Sequence, residues 1–372
     1  MRAIPATLIL VLALLAACSG GSSPSDDRTE TDPPPASPGA LSSVSNWLYL
    51  IDVDLEPDVV DLIAASAHDM VVLDFITSDQ STPDYPMADV VQQLHAVANP
   101  KLVIAYIDIG EAEDYRTYWQ NGWGIGNPEW IAGADPDGWA GNFPVAFWHQ
   151  DWRDIWLGTD GYLQQIVDAG FDGVYLDWID AYSDENVILL ADADGVEPED
   201  EMVRWVGDIA GYTRSQRPGF VVIGQNAAEL ADRDDYLGII DAIAQEHVWF
   251  DGGANNDPPG DCPLPLSDDD IDTDGYLEAL SPLCRSYAES DPDSSLHVST
   301  EEYLTDLELA ANKGETIFTV DYALDPDNIA RAYEASRAHG FIPFAGSRAL
   351  DQFLDPVPLT GGPKARGSGL GP

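Results

Sequence analysis

Gly170-Phe171-Asp172-Gly173-Val174-Tyr175-Leu176-Asp177-Trp178-Ile179-Asp180 is a short apolar run flanked by carboxylates. Val174, Tyr175 and Leu176 place β-branched, aromatic and aliphatic side chains behind a glycine, the composition of a buried strand. Asp177 then falls where the chain leaves the sheet. In a parallel α/β fold the C-terminal strand ends line the ligand crevice, which puts Asp177 at a pocket beside Trp178. Taken alone, the stretch also fits a second reading, with Asp177 as a helix N-cap or loop acid.

Further apolar runs ended by turn residues lie at 47–51, 70–75, 102–107, 220–224, 242–246, 316–320 and 341–344, which with 173–177 makes eight strands. Apolar residues at helical spacing occupy 58–67, 88–98, 162–169, 203–212, 301–312 and 327–338. This alternation predicts an α/β fold, a (β/α)8 TIM barrel over 45–355. A ninth run at 145–148 reads as an extra strand in a loop or as a replacement for one of the eight, and no internal repeat is evident.

Residues 1–17 carry Arg2 and then an apolar stretch at 8–15, the pattern of an export leader rather than a membrane span. The ending Leu15-Ala16-Ala17-Cys18 resembles a bacterial lipobox, which implies cleavage before Cys18 and a lipid on that cysteine; a plain signal peptide is the alternative. Residues 18–44, rich in Ser, Gly, Pro and acid around Pro33-Pro34-Pro35, read as a disordered tether, and 356–372 as a flexible tail. The expected location is outside the cytoplasm, with the chain anchored to the envelope by lipid alone or released.

In an exported protein the other cysteines, Cys262 and Cys284, most simply form a disulfide. Closing a loop of about 20 residues contributes roughly 3 kcal/mol in the chain-entropy picture. The formal charge of −50, from 66 acidic against 16 basic residues, excludes nucleic acid as a natural partner and attracts cationic ones. Because the excess is spread along the chain, adaptation of the whole surface to salt or solubility is the simpler cause.

Two connections, 108–160 and 247–298, are far longer than usual and leave strand ends on the expected catalytic face. The first holds Trp119, Trp123, Trp130, Trp139, Trp148, Trp152 and Trp156. Such rings either pack against one another or present planes to the C–H face of a sugar. Acids end or closely follow several strands: Asp74, Asp108 with Glu111, Asp177 with Asp180, Glu246 and Asp321. Cleaving a glycosidic bond needs two carboxyl groups across it, one protonated and one ionised. Asp177 and Glu246 are the best pair, since each directly follows a buried run.

Trp47-Leu48-Tyr49-Leu50, Val71-Val72-Leu73-Asp74, the segment from Val103-Ile104-Ala105-Tyr106-Ile107-Asp108-Ile109-Gly110-Glu111-Ala112-Glu113-Asp114-Tyr115-Arg116 to Trp119, the opening stretch, Ile223-Gly224-Gln225-Asn226 and Gln245-Glu246 follow one another in order. Over residues 45–352 the chain thereby resembles glycoside hydrolase family 114. The resemblance implies a (β/α)8 barrel that cleaves α-1,4-linked galactosamine polymers within the chain, with an Asp and a Glu that map to Asp177 and Glu246. The chain departs from the family pattern at Asp108, Trp178 and Ala227, where a small polar residue, Asn and Gly are commoner. All three border the expected pocket and bear on which sugar is held.

Glu246 is the expected general acid and Asp177 the nucleophile, or the base that activates water if the reaction inverts; a swap of these roles stays open. Asp74, Tyr106, Asp108, Glu111, Trp178, Asp180, Asn226 and Asp321 are the expected sugar-binding residues, and Arg116 braces the third-strand loop through Glu111 or Glu113. The expected partner is a cationic amino-sugar polysaccharide, bound by a monomer without a cofactor. Asp270-Ile271-Asp272-Thr273-Asp274-Gly275 opens like a calcium loop, but Ser281 occupies the twelfth position where Glu is normal; a structural calcium there is the minority reading. The rival functions are a non-catalytic carbohydrate-binding barrel and a hydrolase of another polysaccharide.

Overall fold

The computed structural model describes residues 39–75, 80–292, 294–355 and 357. The leader at 1–17, Cys18, most of the tether and most of the 356–372 tail lie outside them. Eight parallel strands form one sheet in strict chain order: Trp47–Leu50, Met70–Asp74, Leu102–Asp108, Gly173–Asp177, Val221–Gln225, Ala242–Glu246, Thr316–Tyr322 and Ile342–Gly346. Trp47 Nε1 donates to Ile342 O at 3.1 Å and the Ile51 amide to Leu350 O at 3.0 Å, bringing the first and last strands together. The sheet thus curls into a nearly closed (β/α)8 barrel, as the alternation predicts.

All eight strands and all six helices predicted from periodicity are present, with small shifts at some ends. The run at 145–148 forms no strand of the barrel; Val145 makes a single bridge to Ile131 and the segment packs inward as loop. Helices at Gln150–Trp156, Glu185–Asp194, Asp234–Leu237, Asp274–Ala279 and Pro282–Ser290 were not predicted. The helix Tyr162–Ala169 stops at Gly170, whose φ of 92° is the left-handed cap that frees the chain to enter the fourth strand.

Aromatic rings fill the barrel interior. Tyr49 and Tyr175 lie 4.8 Å apart between centroids, Trp47 and Phe318 5.1 Å, and Trp47 and Phe344 5.6 Å. The floor is braced by acids that precede the second, fourth and sixth strands. Asp69, Asp172 and Asp241 accept backbone N–H groups from Asn46 at 3.2 Å, Val103 at 2.9 Å and Val222 at 2.8 Å, at the entries to the first, third and fifth strands. Asp172 also pairs with His95 and Arg217, so the first acid of the quoted stretch is structural.

The two long connections are folded. In 108–160 the strands Glu111–Glu113 and Asn142–Pro144 form an antiparallel ladder. Trp123, Trp130, Trp152 and Trp156 follow one another at centroid spacings of 5.1, 5.3 and 5.7 Å. Most of this tryptophan density therefore packs into the main hydrophobic core. In 247–298, Cys262 and Cys284 are bonded with Cα atoms 5.3 Å apart, beside buried Leu264, Leu280 and Leu296.

Candidate active site

Because side chains alternate along a strand, Tyr175 and Asp177 share a face with their register partners Tyr106 and Asp108. Tyr49, Tyr106 and Tyr175 pack together inside the barrel, so the acids above them face its mouth. Asp177 Oδ2 accepts from the Tyr106 hydroxyl, and Oδ1 from the Trp178 amide at 2.8 Å. Burial first, and then the nearby Glu246 charge, push the Asp177 carboxyl up to about 7.

Glu246 ends the sixth strand with 4% of its surface exposed. Oε2 accepts from Gln225 Nε2 at 2.6 Å and from Asn226 Nδ2 at 3.2 Å, and Oε1 from the Tyr322 hydroxyl. The Asn226 carbonyl oxygen in turn accepts from the Glu246 amide at 3.1 Å, so Asn226 locks both backbone and side chain of the acid. Tyr49 donates to Gln225 Oε1 at 3.1 Å, linking the aromatic interior to the carboxylate above it. Arg348, after the eighth strand, lies 3.8 Å from Glu246 Oε1, and its Nη1 donates to the Tyr322 hydroxyl at 2.8 Å.

The remaining expected sugar ligands fall into distinct positions. Asp180 follows in the 3-10 turn Ile179–Ser183; its Oδ1 is buried without a partner among the described residues, and burial, with Glu229 and Asp177 nearby, raises it to about 8. Glu111 is buried, accepts from Asn142 at 3.2 Å through Oε2, and has an unpartnered Oε1. Burial and the Asp108 charge push the Glu111 carboxyl well above the usual range. Trp178 is half-buried and left-handed at φ 58°, and a Cβ on Gly110 would collide with its carbonyl oxygen. That close approach explains the glycine between Ile109 and Glu111.

Others are held by the fold. Asp108 Oδ1 accepts from the Gly110 amide at 3.0 Å and the Glu111 amide at 2.8 Å. Asp74 pairs with Arg116 Nη1 at 2.8 Å, while Arg116 Nε meets Glu113 at 2.7 Å, so the brace uses Glu113. Asp321 Oδ1 accepts from the Trp249 amide at 2.6 Å and the Phe250 amide at 3.0 Å, anchoring the connection after the sixth strand. The possible calcium acids do not gather: Asp270 accepts from Ser267, Asp272 meets His297 at 2.7 Å, and Asp274 begins a helix. Among the described residues no group of three or more His, Cys, Asp or Glu side chains is arranged to hold a metal.

Gln225, Tyr322, His247 and Arg348 were not singled out from the sequence. Period two would have found Tyr322: it shares the face of Val320, the register partner of Glu246, whereas Asp321 lies on the opposite face. Gln225 was within reach too, standing beside Asn226 at its strand end. Arg348 follows the last strand in a short turn that carries no pattern.

The model for glycoside hydrolase family GH114 matches residues 28–357. An uncharacterized protein of Deinococcus radiodurans is 33% identical over 357 residues, covering 93% of this chain and 98% of its own. Another from Thermotoga maritima is 30% identical and covers 84% of each chain. Among solved structures, Aspergillus fumigatus Ega3, in complex with galactosamine, superposes with a TM-score of 0.51 at 14% identity, covering 84% of this chain and 95% of that one. The glycoside hydrolase domain of a PelA variant from Pseudomonas aeruginosa gives a TM-score of 0.50 at 16% identity, covering 84% and 98%. At such identities these two matches speak for the shared fold. The chain belongs to glycoside hydrolase family GH114.

Proposed function

We propose that this protein hydrolyses an α-1,4-linked galactosamine-type polysaccharide within the chain, using Asp177 and Glu246 as its carboxyl pair. The observation that carries the reading is their common placement at the barrel mouth, each carboxylate fixed by a tyrosine hydroxyl, Tyr106 for Asp177 and Tyr322 for Glu246. A merely sugar-binding barrel has no need of two acids so fixed. The fungal relative solved with galactosamine supports the sugar class.

Burial and the Glu246 charge raise the Asp177 carboxyl to about 7, so it keeps a proton to higher pH than an ordinary carboxyl. Asp180, with its unpartnered buried oxygen next to this acid, suits the ammonium of an incoming galactosamine unit. A cation there favours the ionised form of Asp177 that a nucleophile needs. Glu246 then protonates the glycosidic oxygen as the C1–O bond breaks, and Asp177 attacks C1. Water, deprotonated by Glu246, releases the sugar in the second step with retained configuration.

Digesting defined galactosamine, N-acetylgalactosamine and glucosamine oligomers and sizing the products tests this. Internal cleavage of the galactosamine series is expected, with the first-formed anomer retained by NMR. Cleavage of none of them turns the reading toward a binding barrel.

Export and lipid attachment at Cys18 complete the proposal and rest on residues 1–18 of the sequence. Radiolabelled palmitate incorporated by the full chain and absent from Cys18→Ser is the expected result. Equal labelling of both removes the anchor.

A further inference from the structure

His247 follows Glu246 directly and has a left-handed backbone, with φ 57° and 14% of its side chain exposed. A bulky residue in that conformation is uncommon and needs its surroundings to hold it. Nδ1 lies 2.7 Å from Asp251 Oδ1, and Nε2 lies 3.7 Å from Glu246 Oε2. The imidazole therefore stands between a buried carboxylate and the proposed catalytic one.

Asp251 is 1% exposed and gathers donors from the disulfide-bonded excursion. The Gly252 amide reaches Oδ1 at 2.6 Å, while the Tyr287 hydroxyl at 3.2 Å and the Ser295 hydroxyl reach Oδ2. Tyr287 sits on the helix that carries Cys284, and Asp251 is the ladder partner of Cys262. Burial alone would raise the Asp251 carboxyl, but His247, Arg348 and Ser295 bring it down to about 2. Burial alone would likewise lower the His247 imidazole, but Asp251 and, more weakly, Glu246 hold it up against the opposing Arg348 charge. The other groups facing His247 are Asp137, Asp321 and the Tyr322 ring, whose centroid is 5.3 Å away.

We propose that His247 is a positioning residue for the cleavage step: anchored through Nδ1–H to Asp251, its imidazolium turns Nε2–H toward Glu246 and stabilises the carboxylate left when that proton has gone to the glycosidic oxygen. The inference rests on the assignment of Glu246 to the carboxyl pair. It gives the long connection 247–298 a catalytic use, because the disulfide-bonded segment supplies the groups that hold Asp251. No bond to His247 forms or breaks, and its charge is unchanged through the step.

The test compares the wild type with His247→Asn and Ser295→Ala on a soluble galactosamine oligomer, measuring kcat, KM and the pH profile of kcat. Asn tolerates the left-handed backbone, and Ser295→Ala loosens Asp251 without touching the imidazole. His247→Asn is expected to lower kcat about 10- to 100-fold with KM within about twofold, the range set by losing one charge-assisted contact. The substitution also removes a positive charge from beside the carboxyl pair, so the alkaline limb of kcat moves upward, less so in Ser295→Ala. A merely structural histidine does not move that limb. An active wild type with unchanged kcat and limb in His247→Asn overturns this proposal alone. A wild type that cleaves no oligomer overturns the functional reading beneath it.

Discussion

Asp108 and Asp177 are register partners at the C-terminal ends of adjacent strands, yet their carboxylates have opposite allegiances. Asp177 is held by Tyr106 and the Trp178 amide at the barrel mouth, while Asp108 folds back onto the amides of Gly110 and Glu111. Asp108 shapes the turn that brings Gly110 against Trp178. Asp108→Asn keeps the acceptor oxygen and is expected to fold and retain activity within a few-fold. Asp108→Ala leaves two buried amides without it and is expected to lose about 1 to 3 kcal/mol of stability in denaturant unfolding. Equal stability of the two variants contradicts this role.

Tyr322 is the next point of leverage, since its hydroxyl donates to Glu246 while accepting from Arg348. Tyr322→Phe removes only the oxygen. Loss of one hydrogen bond to a charged group predicts about a 10- to 100-fold fall in kcat, with the fold intact by circular dichroism. Unaltered turnover places the catalytic contacts of Glu246 elsewhere.

Much of this arrangement was legible in the sequence. The quoted stretch and seven similar runs carried the barrel, because buried parallel strands read as short apolar segments between turns. Asp177 and Glu246 stood out because each follows such a run without a break. The sorting of the other acids was not legible. Asp74, Asp108 and Asp321 look like Asp177 in one dimension and differ in what folds onto them: a remote arginine on Asp74, remote amides on Asp321, and the amides of its own turn on Asp108. The tryptophans of 108–160 show the same limit, since their composition suits a sugar platform and a packed core alike, and four of them form a chain of ring contacts.

Ala227 has φ 51°, next to Asn226 at 58°. A left-handed residue with a Cβ costs about 1 to 2 kcal/mol, and glycine avoids it. Ala227→Gly is therefore expected to stabilise the protein by up to about 1 kcal/mol in chemical unfolding, after the entropy glycine adds to the unfolded chain. A lower midpoint shows that the Ala227 methyl packs more favourably than its backbone is strained.

The buried acids also fix the pH dependence of stability. Asp180 is raised to about 8, by burial first, and Asp321 to about 7 for the same leading reason. A carboxyl whose folded pKa exceeds its unfolded value binds its proton more tightly in the folded state. The stability it confers is complete below the unfolded pKa of about 4 and declines as pH rises through the folded value. Tm is expected to fall between pH 5 and about 8, and Asp180→Asn to flatten that fall. A variant with the wild-type slope shows that Asp180 does not contribute to it.

The proposed carboxyl pair needs one proton to work, and the Asp177 carboxyl, raised to about 7, loses its proton near neutral pH. kcat/KM is therefore expected to decline above pH of about 7, whichever acid donates to the leaving oxygen. A profile still rising at pH 9 is incompatible with a pair that shares one proton.

The most direct test is the release of reducing ends from polygalactosamine by the wild type, Asp177→Asn and Glu246→Gln, each checked for native circular dichroism. Neither substitution changes the size of the side chain, and each removes one ionisable carboxyl. The account predicts that both folded variants lose at least about 1,000-fold in kcat, as expected for members of one catalytic unit. Cleavage near the wild-type rate by either folded variant contradicts the assignment of Asp177 and Glu246 as the catalytic pair.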